Sequence, residues 1–201
     1  MARRIKEDPS VHRKRIADGA ERLFLKEGVE KTSVSRIAEE AGYSKATLYV
    51  YFRNKDDIVS YLVLRSMQML KEEIMKATDP EKPSKENFLG ICNAVYKYKE
   101  KYPMYFDFLQ ETINVDFSGD VYYESEKETF EVGEAINNYI GTLFDLKEDG
   151  FVTLFTTWGS ICGVIRMVDK KTDYIKKRSG MDEEEFLRKA FEKLYRMEEQ
   201  G

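Results

Sequence analysis

Apolar residues near the start of the chain recur at the spacing of an α-helix. In the stretches 16–24 and 34–41 they are separated by three or four positions, so each set falls on one helical face. A glycine follows each stretch, and glycine commonly terminates a helix because it readily adopts the left-handed backbone conformation. A third segment carries Leu48 and Phe52 four positions apart. The pattern therefore predicts three short helices within the first 53 residues.

Candidate capping residues mark the starts of these helices. Asp8 can cap the first helix, with Pro9 at its first position, and Thr32 or Ser33 can cap the second. Ser44 can cap the third helix only a few residues after the second ends. Two short helices joined by a tight glycine-containing turn, and preceded by a longer helix, form the helix-turn-helix arrangement of many DNA-binding proteins.

The remaining residues, 54–201, also predict helices and lack the alternation expected of strands. We expect a long fourth helix from Asn54, a fifth capped by Ser84, a short sixth, a seventh ending near Phe144, an apolar eighth over 149–170 and a ninth from Asp182. The segments "TDPEKPS" and "NVDFSGD" are expected loops. The expected fold class is all-α with about nine helices. A three-helix helix-turn-helix domain at 1–53 is joined by the long fourth helix to a helical domain at 54–201.

Charge is distributed unevenly along the chain. Its 33 Lys and Arg and 37 Asp and Glu give a net charge of −4. Residues 1–55 hold 13 Lys and Arg against 8 Asp and Glu, a balance of +5, so residues 56–201 carry −9. A basic first part followed by an acidic body is expected of a DNA-binding domain attached to a separate domain. A basic surface without a partner is the alternative.

Few residues suited to catalysis or metal binding are present. The chain has one histidine, His12, and two cysteines, Cys92 and Cys162, whose separation does not fit a zinc site and favours buried free thiols. No Walker or Rossmann glycine pattern occurs, and the acidic residues lie at caps and on helix faces. We therefore expect no enzyme activity, no catalytic residues, no cofactor and no metal.

No uninterrupted apolar run of about 18 residues occurs, so we expect a cytoplasmic protein that does not bind a membrane.

The run from Arg13 to Ile58, "RKRIADGAERLFLKEGVEKTSVSRIAEEAGYSKATLYVYFRNKDDI", resembles the DNA-binding domain of the TetR family of transcriptional regulators. The similarity includes the "LF" and glycine that close the first helix, "TSVSRIAEEAG" in the second, and "YSKATLYVYFRNKDDI" in the third and fourth. It covers about a quarter of the chain. Tyr43 departs from the family pattern, in which an aliphatic residue is more usual, and this change concerns packing at the turn.

Helical facing divides the third helix into a buried and an exposed side. Leu48 and Phe52 are expected in the core, whereas the N-terminal part of such a helix approaches base edges. Together with the resemblance, this facing implies that the third helix contacts DNA through Ser44, Lys45, Thr47, Tyr49, Val50 and Tyr51. Ser33, Ser35 and Arg36 open the second helix, where unpaired backbone N–H groups and the helix dipole favour a phosphate. The resemblance implies a further phosphate contact at Lys55. Packing at the edge of the core is the alternative for Tyr49 and Tyr51, and simple solvation is the alternative for Lys55.

Two features of residues 54–201 bear on function. The segment "WGSICGVIRMV" in the eighth helix is apolar around most of its circumference and needs cover. In TetR relatives the last two helices pair with those of a second subunit, which implies a homodimer; a buried helix in a monomer is the alternative.

Aromatic residues concentrate between the fifth and eighth helices, the region in which relatives bind small-molecule effectors. From helical facing, the expected ligand-binding residues are Met67, Tyr102, Phe106 and Trp158.

These features together indicate a ligand-responsive transcriptional regulator. We expect a repressor that binds a pseudo-palindromic operator in double-stranded DNA as a homodimer. A small apolar or aromatic effector would release it from the DNA. A helical adaptor or interaction protein that has lost DNA binding is the alternative.

Overall fold

The computed structural model describes residues 7–111, 123–147 and 150–198, and within these ranges the chain forms ten α-helices and no strand. The helices are α1 (Pro9–Glu27), α2 (Val34–Glu40), α3 (Lys45–Tyr51), α4 (Lys55–Ala77), α5 (Ser84–Lys101), α6 (Pro103–Glu111), α7 (Glu124–Leu143), α8 (Gly150–Lys170), α9 (Thr172–Ser179) and α10 (Glu183–Glu198). The all-α fold class is confirmed, and its helix-turn-helix comprises α2 and α3.

The first helices begin at predicted capping residues. The Asp8 carboxylate accepts a hydrogen bond of 2.8 Å from the backbone N–H of Ser10 at the start of α1. Ser33, rather than Thr32, caps α2 by accepting from the backbone N–H of Arg36. Thr32 is instead buried, with its hydroxyl bonded to the end of α1. Capping satisfies N–H groups that the first turn of a helix leaves unpaired.

The turn between α2 and α3 depends on a left-handed residue. Gly42 has a φ of 76°, a conformation that a side chain with a Cβ disfavours. Ser44 then caps α3 by accepting a hydrogen bond of 3.0 Å from the backbone N–H of Thr47. The tight turn predicted from the glycine and the serine is therefore confirmed.

The chain divides into two compact units. The first unit comprises Met1–Met67 and Met104–Phe130, and the second comprises Gln68–Pro103 and Glu131–Gly201. The expected helix-turn-helix domain, 1–53, lies within the first unit.

The first unit encloses an apolar core contributed by α1, α2, α3 and the first half of α4. Its fully buried side chains include Ile16, Ile37, Leu48, Ile58 and Leu62. Arg65 of α4 lies beside this core and forms ion pairs with two carboxylates of α1. Its Nη1 atom is 2.8 Å from Oδ1 of Asp18 and 3.0 Å from Oε2 of Glu21. Apolar burial and these ion pairs together hold α4 against α1.

The second unit packs α5 against α8 and α10. The core side chains include Phe88, Val95, Ile161, Ile165, Leu187 and Phe191. Cys92 and Cys162 are buried thiols that form no disulfide, as expected, and burial raises the pKa of the Cys92 thiol. Gly90 of α5 allows a close helix approach, because a Cβ added there would lie 2.5 Å from the carbonyl oxygen of Ala77.

Three details differ from, or lie beyond, the sequence expectation. The described residues contain ten helices instead of about nine, because α9 is a short additional helix that ends at Gly180 with a φ of 76°. This helix is mostly polar and buries only Ile175, so it has no apolar stripe to detect. Ser84 is the first residue of α5 and not its cap, a position that Pro83 occupies without a side-chain hydrogen bond. The expected loop "NVDFSGD" lies outside the described residues.

Candidate nucleic-acid interface and effector cavity

The exposed side of α3 has the character of a contact surface. Leu48 and Phe52 are 0% and 1% exposed, which confirms that they belong to the core. Val50, by contrast, is 75% exposed and Tyr49 is 47% exposed, and Lys45 is exposed at the start of the helix. An aliphatic and an aromatic side chain standing in solvent beside a cation suit a partner that has both apolar and anionic groups.

The starts of α2 and α3 carry hydroxyl groups at the surface. Ser33, Ser35 and Ser44 lie at or near the surface, and Ser33 and Ser44 are engaged as caps. The hydroxyl of Thr47 lies 2.8 Å from that of Ser44. The structure therefore brings Ser44, Lys45 and Thr47 together in the first turn of the candidate recognition helix.

Two tyrosines face α1 instead. The ring of Tyr51 is stacked on His12, with centroids 4.9 Å apart. The hydroxyl of Tyr43 lies 2.7 Å from Nδ1 of His12 and accepts a hydrogen bond of 2.9 Å from Nη1 of Arg15. Tyr51 thus packs at the edge of the core, the alternative that its sequence position left open, and both rings brace the helix-turn-helix against α1.

Two of the predicted phosphate-binding cations have intramolecular partners. Arg36 forms an ion pair with Glu27, and hydrogen bonding from Arg36 lowers the pKa of the Glu27 carboxyl. The ammonium of Lys55 donates a hydrogen bond of 2.9 Å to the carbonyl oxygen of Val29. A DNA phosphate would therefore compete with these groups for the two cations.

Residues at the start of α7 contact α1 and the start of α4, and the sequence pattern did not indicate these contacts. The Tyr123 hydroxyl and the Asn54 side-chain amide exchange hydrogen bonds of 2.9 and 3.1 Å. Nη1 of Arg13 donates to Oε2 of Glu124 at 3.1 Å, while the Arg13 guanidinium lies 4.9 Å from the centroid of the Phe52 ring. These pairs are separated by 69 and 111 positions along the chain, so local periodicity gives no signal for them.

A mostly apolar cavity of about 290 Å³ lies within the second unit. It is lined by Ser84, Phe88, Ile91, Ile140, Phe144, Leu146, Thr153, Leu154, Thr157, Trp158, Ile161 and Tyr195. Among the described residues, the lining offers hydroxyl groups and an indole but no charged side chain. The volume is close to the lower limit, roughly 300 Å³, of pockets that bind drug-sized ligands.

The four predicted ligand-binding residues are divided between the two units. Trp158 lines the cavity. Tyr102 belongs to the same unit but is not among the lining residues, whereas Met67 and Phe106 belong to the first unit. Helical periodicity was sufficient to place Trp158 on the inner side of α8. It could not show which other helices line the cavity with α8.

Much of the apolar surface of α8 is exposed. Phe151, Phe155, Gly159, Gly163 and Met167 follow one another at intervals of four residues, and Phe151 and Phe155 are 67% and 70% exposed. By length and composition alone α8 could cross a membrane, and 22% of its most apolar window is buried. A helix covered by a second protein surface has the same composition.

One group of carboxylates among the described residues has the spacing of possible metal ligands. Oxygen atoms of Glu100, Asp169 and Glu183 lie within 4.8 Å of one another. Lys99 forms ion pairs with Asp169 and, at 2.8 Å, with Glu100. The ammonium thus offsets part of the negative charge that a metal ion would neutralise.

The helix-turn-helix matches a known protein family. A sequence model described as "Bacterial regulatory proteins, tetR family" matches residues 16–62, which run from α1 into α4. The HTH-type transcriptional regulator TtgR of Pseudomonas putida is 37% identical over 81 residues, or 40% of this chain and 38% of that protein. The helix-turn-helix region of this chain, residues 16–62, is that of the TetR family.

Solved structures of two bacterial regulators share the fold over most of the chain. The fatty acid degradation regulator FadR of Bacillus halodurans is 19% identical, with a TM-score of 0.63 and coverage of 94% of this chain and 96% of that one. The TetR-family regulator PfmR of Thermus thermophilus is 22% identical, with a TM-score of 0.60 and coverage of 90% and 97%. At these identities the likeness shows the fold alone.

The TetR family consists of DNA-binding transcriptional regulators and not of enzymes, which agrees with the absence of a catalytic motif in the sequence. The chain matches less than two fifths of the length of the curated relatives, 38% in the case of TtgR. These relatives therefore support membership of the family and transcriptional regulation. Effector, operator and assembly have to be argued from this chain's own residues.

Proposed function

We propose that this TetR-family regulator is a cytoplasmic repressor that binds a pseudo-palindromic DNA operator as a homodimer and is released by a small, uncharged apolar or aromatic effector. The observation that carries the proposal is the division of α3 into a buried and an exposed side. Leu48 fixes the helix to its core, while Tyr49 and Val50 stand in solvent. A helix anchored on one side and exposed on the other suits insertion into the major groove.

The proposed DNA-facing surface combines readout with anchoring. Val50 is suited to apolar contact with a thymine methyl group, and the Tyr49 hydroxyl to donation to a phosphate. The full surface comprises Ser33, Ser35, Arg36, Ser44, Lys45, Thr47, Tyr49, Val50, Tyr51 and Lys55. Arg36 and Lys55 would exchange Glu27 and the Val29 carbonyl for phosphate oxygens, and Tyr51 would contribute through its hydroxyl.

The exposed apolar face of α8 supports a homodimer. At Gly159 and Gly163, no described residue outside the same helical turn lies within 4 Å of an added Cβ, so a second helix could approach closely there. In α10, Phe186, Ala190 and Leu194 are partly exposed and Met197 is exposed, again at intervals of three or four residues. Two apolar helix faces of this kind would bury each other in a two-fold, four-helix interface.

The cavity in the second unit supports a small effector without charge. Because the described lining residues carry no charge, an ionic ligand buried among them would lose its hydration without a compensating partner. Phe88, Trp158 and Tyr195 provide aromatic surface, and hydroxyl groups of the lining can orient one polar group. Of the residues expected from the sequence, Met67, Tyr102 and Phe106 remain candidates outside this cavity.

The proposed mechanism is a shift between two spacings of the recognition helices. A dimer in the DNA-bound state would present two α3 helices about 34 to 36 Å apart, one turn of DNA. An effector that binds a differently spaced state more tightly would shift the population away from DNA. The long helix α4 is the proposed lever, since Asn54 caps its start directly after the helix-turn-helix.

Electrophoretic mobility shift with the DNA upstream of the protein's own gene tests the proposal. We expect the wild-type protein to retard one upstream fragment, and Val50→Ala to lose preference for particular bases. Leu25→Ala removes another exposed apolar side chain, from α1, and serves as the matched control. A folded wild-type protein that retards no upstream fragment would contradict the proposal and favour the adaptor.

Native mass spectrometry of protein purified from its source would identify a co-purifying effector.

A further inference from the structure

Arg53 occupies an exposed position directly after the recognition helix. It follows Phe52, the C-terminal cap of α3, and precedes Asn54, which caps α4. The backbone N–H of Arg53 donates a hydrogen bond of 2.8 Å to Oδ2 of the buried Asp57. The Arg53 backbone is therefore fixed at the junction of the two helices, while its side chain remains at the surface.

The cations around Arg53 are already engaged within the protein. Arg13 is paired with Glu124, and the Lys55 ammonium is bonded to a backbone carbonyl. Within residues 7–111, 123–147 and 150–198, no carboxylate forms an ion pair with the Arg53 guanidinium. Its charge is thus available to an external anion, and the anion nearest to a recognition helix in the major groove is a DNA phosphate.

Tyr123 holds the Arg53 side chain in place without using its hydrogen-bond donors. The Arg53 guanidinium carbon lies 5.7 Å from the centroid of the Tyr123 ring. A guanidinium held over an aromatic ring keeps its in-plane N–H groups free for an oxyanion. The ring is itself fixed, because its hydroxyl exchanges two hydrogen bonds with Asn54, whose Oδ1 also accepts from the backbone N–H of Asp57 at 2.9 Å.

We propose that Arg53 contacts a phosphate of the operator at the C-terminal end of α3 and that Tyr123 is its positioning residue. Arg53 and Tyr123 line a recess of about 220 Å³ that also includes Tyr49 and Val50 of the exposed α3 surface. The contact would fix the register of the recognition helix without reading sequence. This inference rests on the proposed function, in which α3 enters the DNA groove.

The dependence of operator affinity on salt concentration tests the contact. Each phosphate contact contributes about 0.9 to the slope of log Kd against log salt. We expect Arg53→Gln to lower this slope by about 0.9 for each protomer on the DNA, and to weaken binding equally on operator and unrelated DNA. Arg53→Lys retains the charge and should retain the slope. Arg178→Gln makes the same change on exposed α9 and should leave the slope unchanged.

Tyr123 is tested by a double-mutant cycle with Arg53. We expect Tyr123→Ala to weaken operator binding in the wild-type background and to have no further effect in the Arg53→Gln background. Tyr123→Phe keeps the ring and should retain most of the affinity. Circular dichroism of each variant reports whether the helices are intact. Independent, additive effects of Tyr123→Ala and Arg53→Gln would overturn the positioning role.

The outcomes separate this inference from the proposed function. A wild-type protein with salt-dependent operator binding, combined with an Arg53→Gln variant of unchanged slope, would overturn the Arg53 contact alone. A folded wild-type protein without DNA binding would overturn both proposals. A reduced slope confined to Arg53→Gln, with Arg178→Gln like the wild type, supports the contact.

Discussion

At Gly90 the absence of a side chain determines how closely two helices approach. A Cβ at this position would lie 2.5 Å from the backbone oxygen of Ala77, and neither backbone can move without displacing its helix. Overpacking of this kind destabilises a core by about 1 to 3 kcal/mol. The close approach of α5 to the end of α4 therefore requires a glycine at position 90.

We expect Gly90→Ala to lower the free energy of unfolding by about 1 to 3 kcal/mol, measured by urea denaturation. Gly133→Ala in α7 is the matched control, because no described residue outside its own helical turn lies within 4 Å of a Cβ added there. That control should stabilise the protein by up to roughly 1 kcal/mol, since alanine favours a helix more than glycine does. Equal effects of the two substitutions would contradict the steric explanation.

Tyr43 illustrates how a departure from a family pattern acquires a structural reason. An aliphatic residue is more usual at this turn, and the sequence indicated only that the packing changes. The structure shows that the Tyr43 hydroxyl is bonded to both His12 and Arg15 of α1. A polar bond between the turn and α1 thus accompanies the larger ring.

Among the elements, α1 and α4 are joined by charge as well as by apolar packing. Asp18 of α1 is partly buried, which raises its pKa, but Lys14 and Arg65 outweigh this effect and hold the pKa below 3.8. A carboxyl whose pKa is lower in the folded state than in the unfolded state stabilises the fold at pH values above the unfolded-state pKa. This stabilisation is lost as the pH falls through the folded-state pKa.

We expect Asp18→Asn to lower the free energy of unfolding by roughly 1 kcal/mol at pH 7, because the pair with Arg65 is only partly buried. The difference from wild type should shrink as the pH falls below 3.8, where the wild-type carboxyl becomes protonated. Urea denaturation of both proteins from pH 7 to below pH 3.8 measures this difference in the free energy of unfolding. Glu30→Gln, at an exposed turn, is the control. A difference that does not change with pH would exclude a charge effect.

The helices with a continuous apolar stripe were predictable from the sequence, whereas α9, which lacks such a stripe, was not. The fourth, seventh and eighth helices begin and end within a few residues of the expected positions, because caps and periodicity act locally. The mostly polar α9 has only Ile175 to bury, so its helical state depends on neighbours that the sequence pattern does not reveal. The same limit applies to Tyr123, whose partner Asn54 is 69 positions away.

For the whole molecule, the exposed face of α8 sets the expected assembly. We expect the wild-type protein to sediment as a dimer at micromolar concentration and Phe155→Glu to sediment as a monomer. Phe155 is 70% exposed, so the variant should fold, but a carboxylate buried in the interface costs about 3 kcal/mol or more, a hundredfold or more in dissociation constant. Leu25→Glu alters an exposed residue of α1 and should remain dimeric. A monomeric wild-type protein would refute the homodimer.

Trp158, the only tryptophan of the chain, reports directly on the proposed effector cavity. We expect the uncharged aromatic probe 1-N-phenylnaphthylamine to quench its fluorescence on binding. Ile140→Phe reduces the space in the cavity and should lower the affinity for the probe by roughly tenfold, equivalent to about 1.4 kcal/mol. Leu25→Phe, at an exposed site, should bind like the wild type. Unaltered affinity in Ile140→Phe would show that the probe binds elsewhere.

The sequence by itself determined the all-α class, the helix-turn-helix and the family, because caps, glycine stops and periodicity are local properties and the family motif is contiguous. It also selected Leu48 and Phe52 for the core, since they lie four residues apart on one helical face. Tertiary structure alone decided that Tyr51 packs on His12, that Lys55 and Arg36 hold intramolecular partners, and that Tyr123 lies beside Arg53. These contacts join separate helices, and their geometry depends on how the whole core is packed.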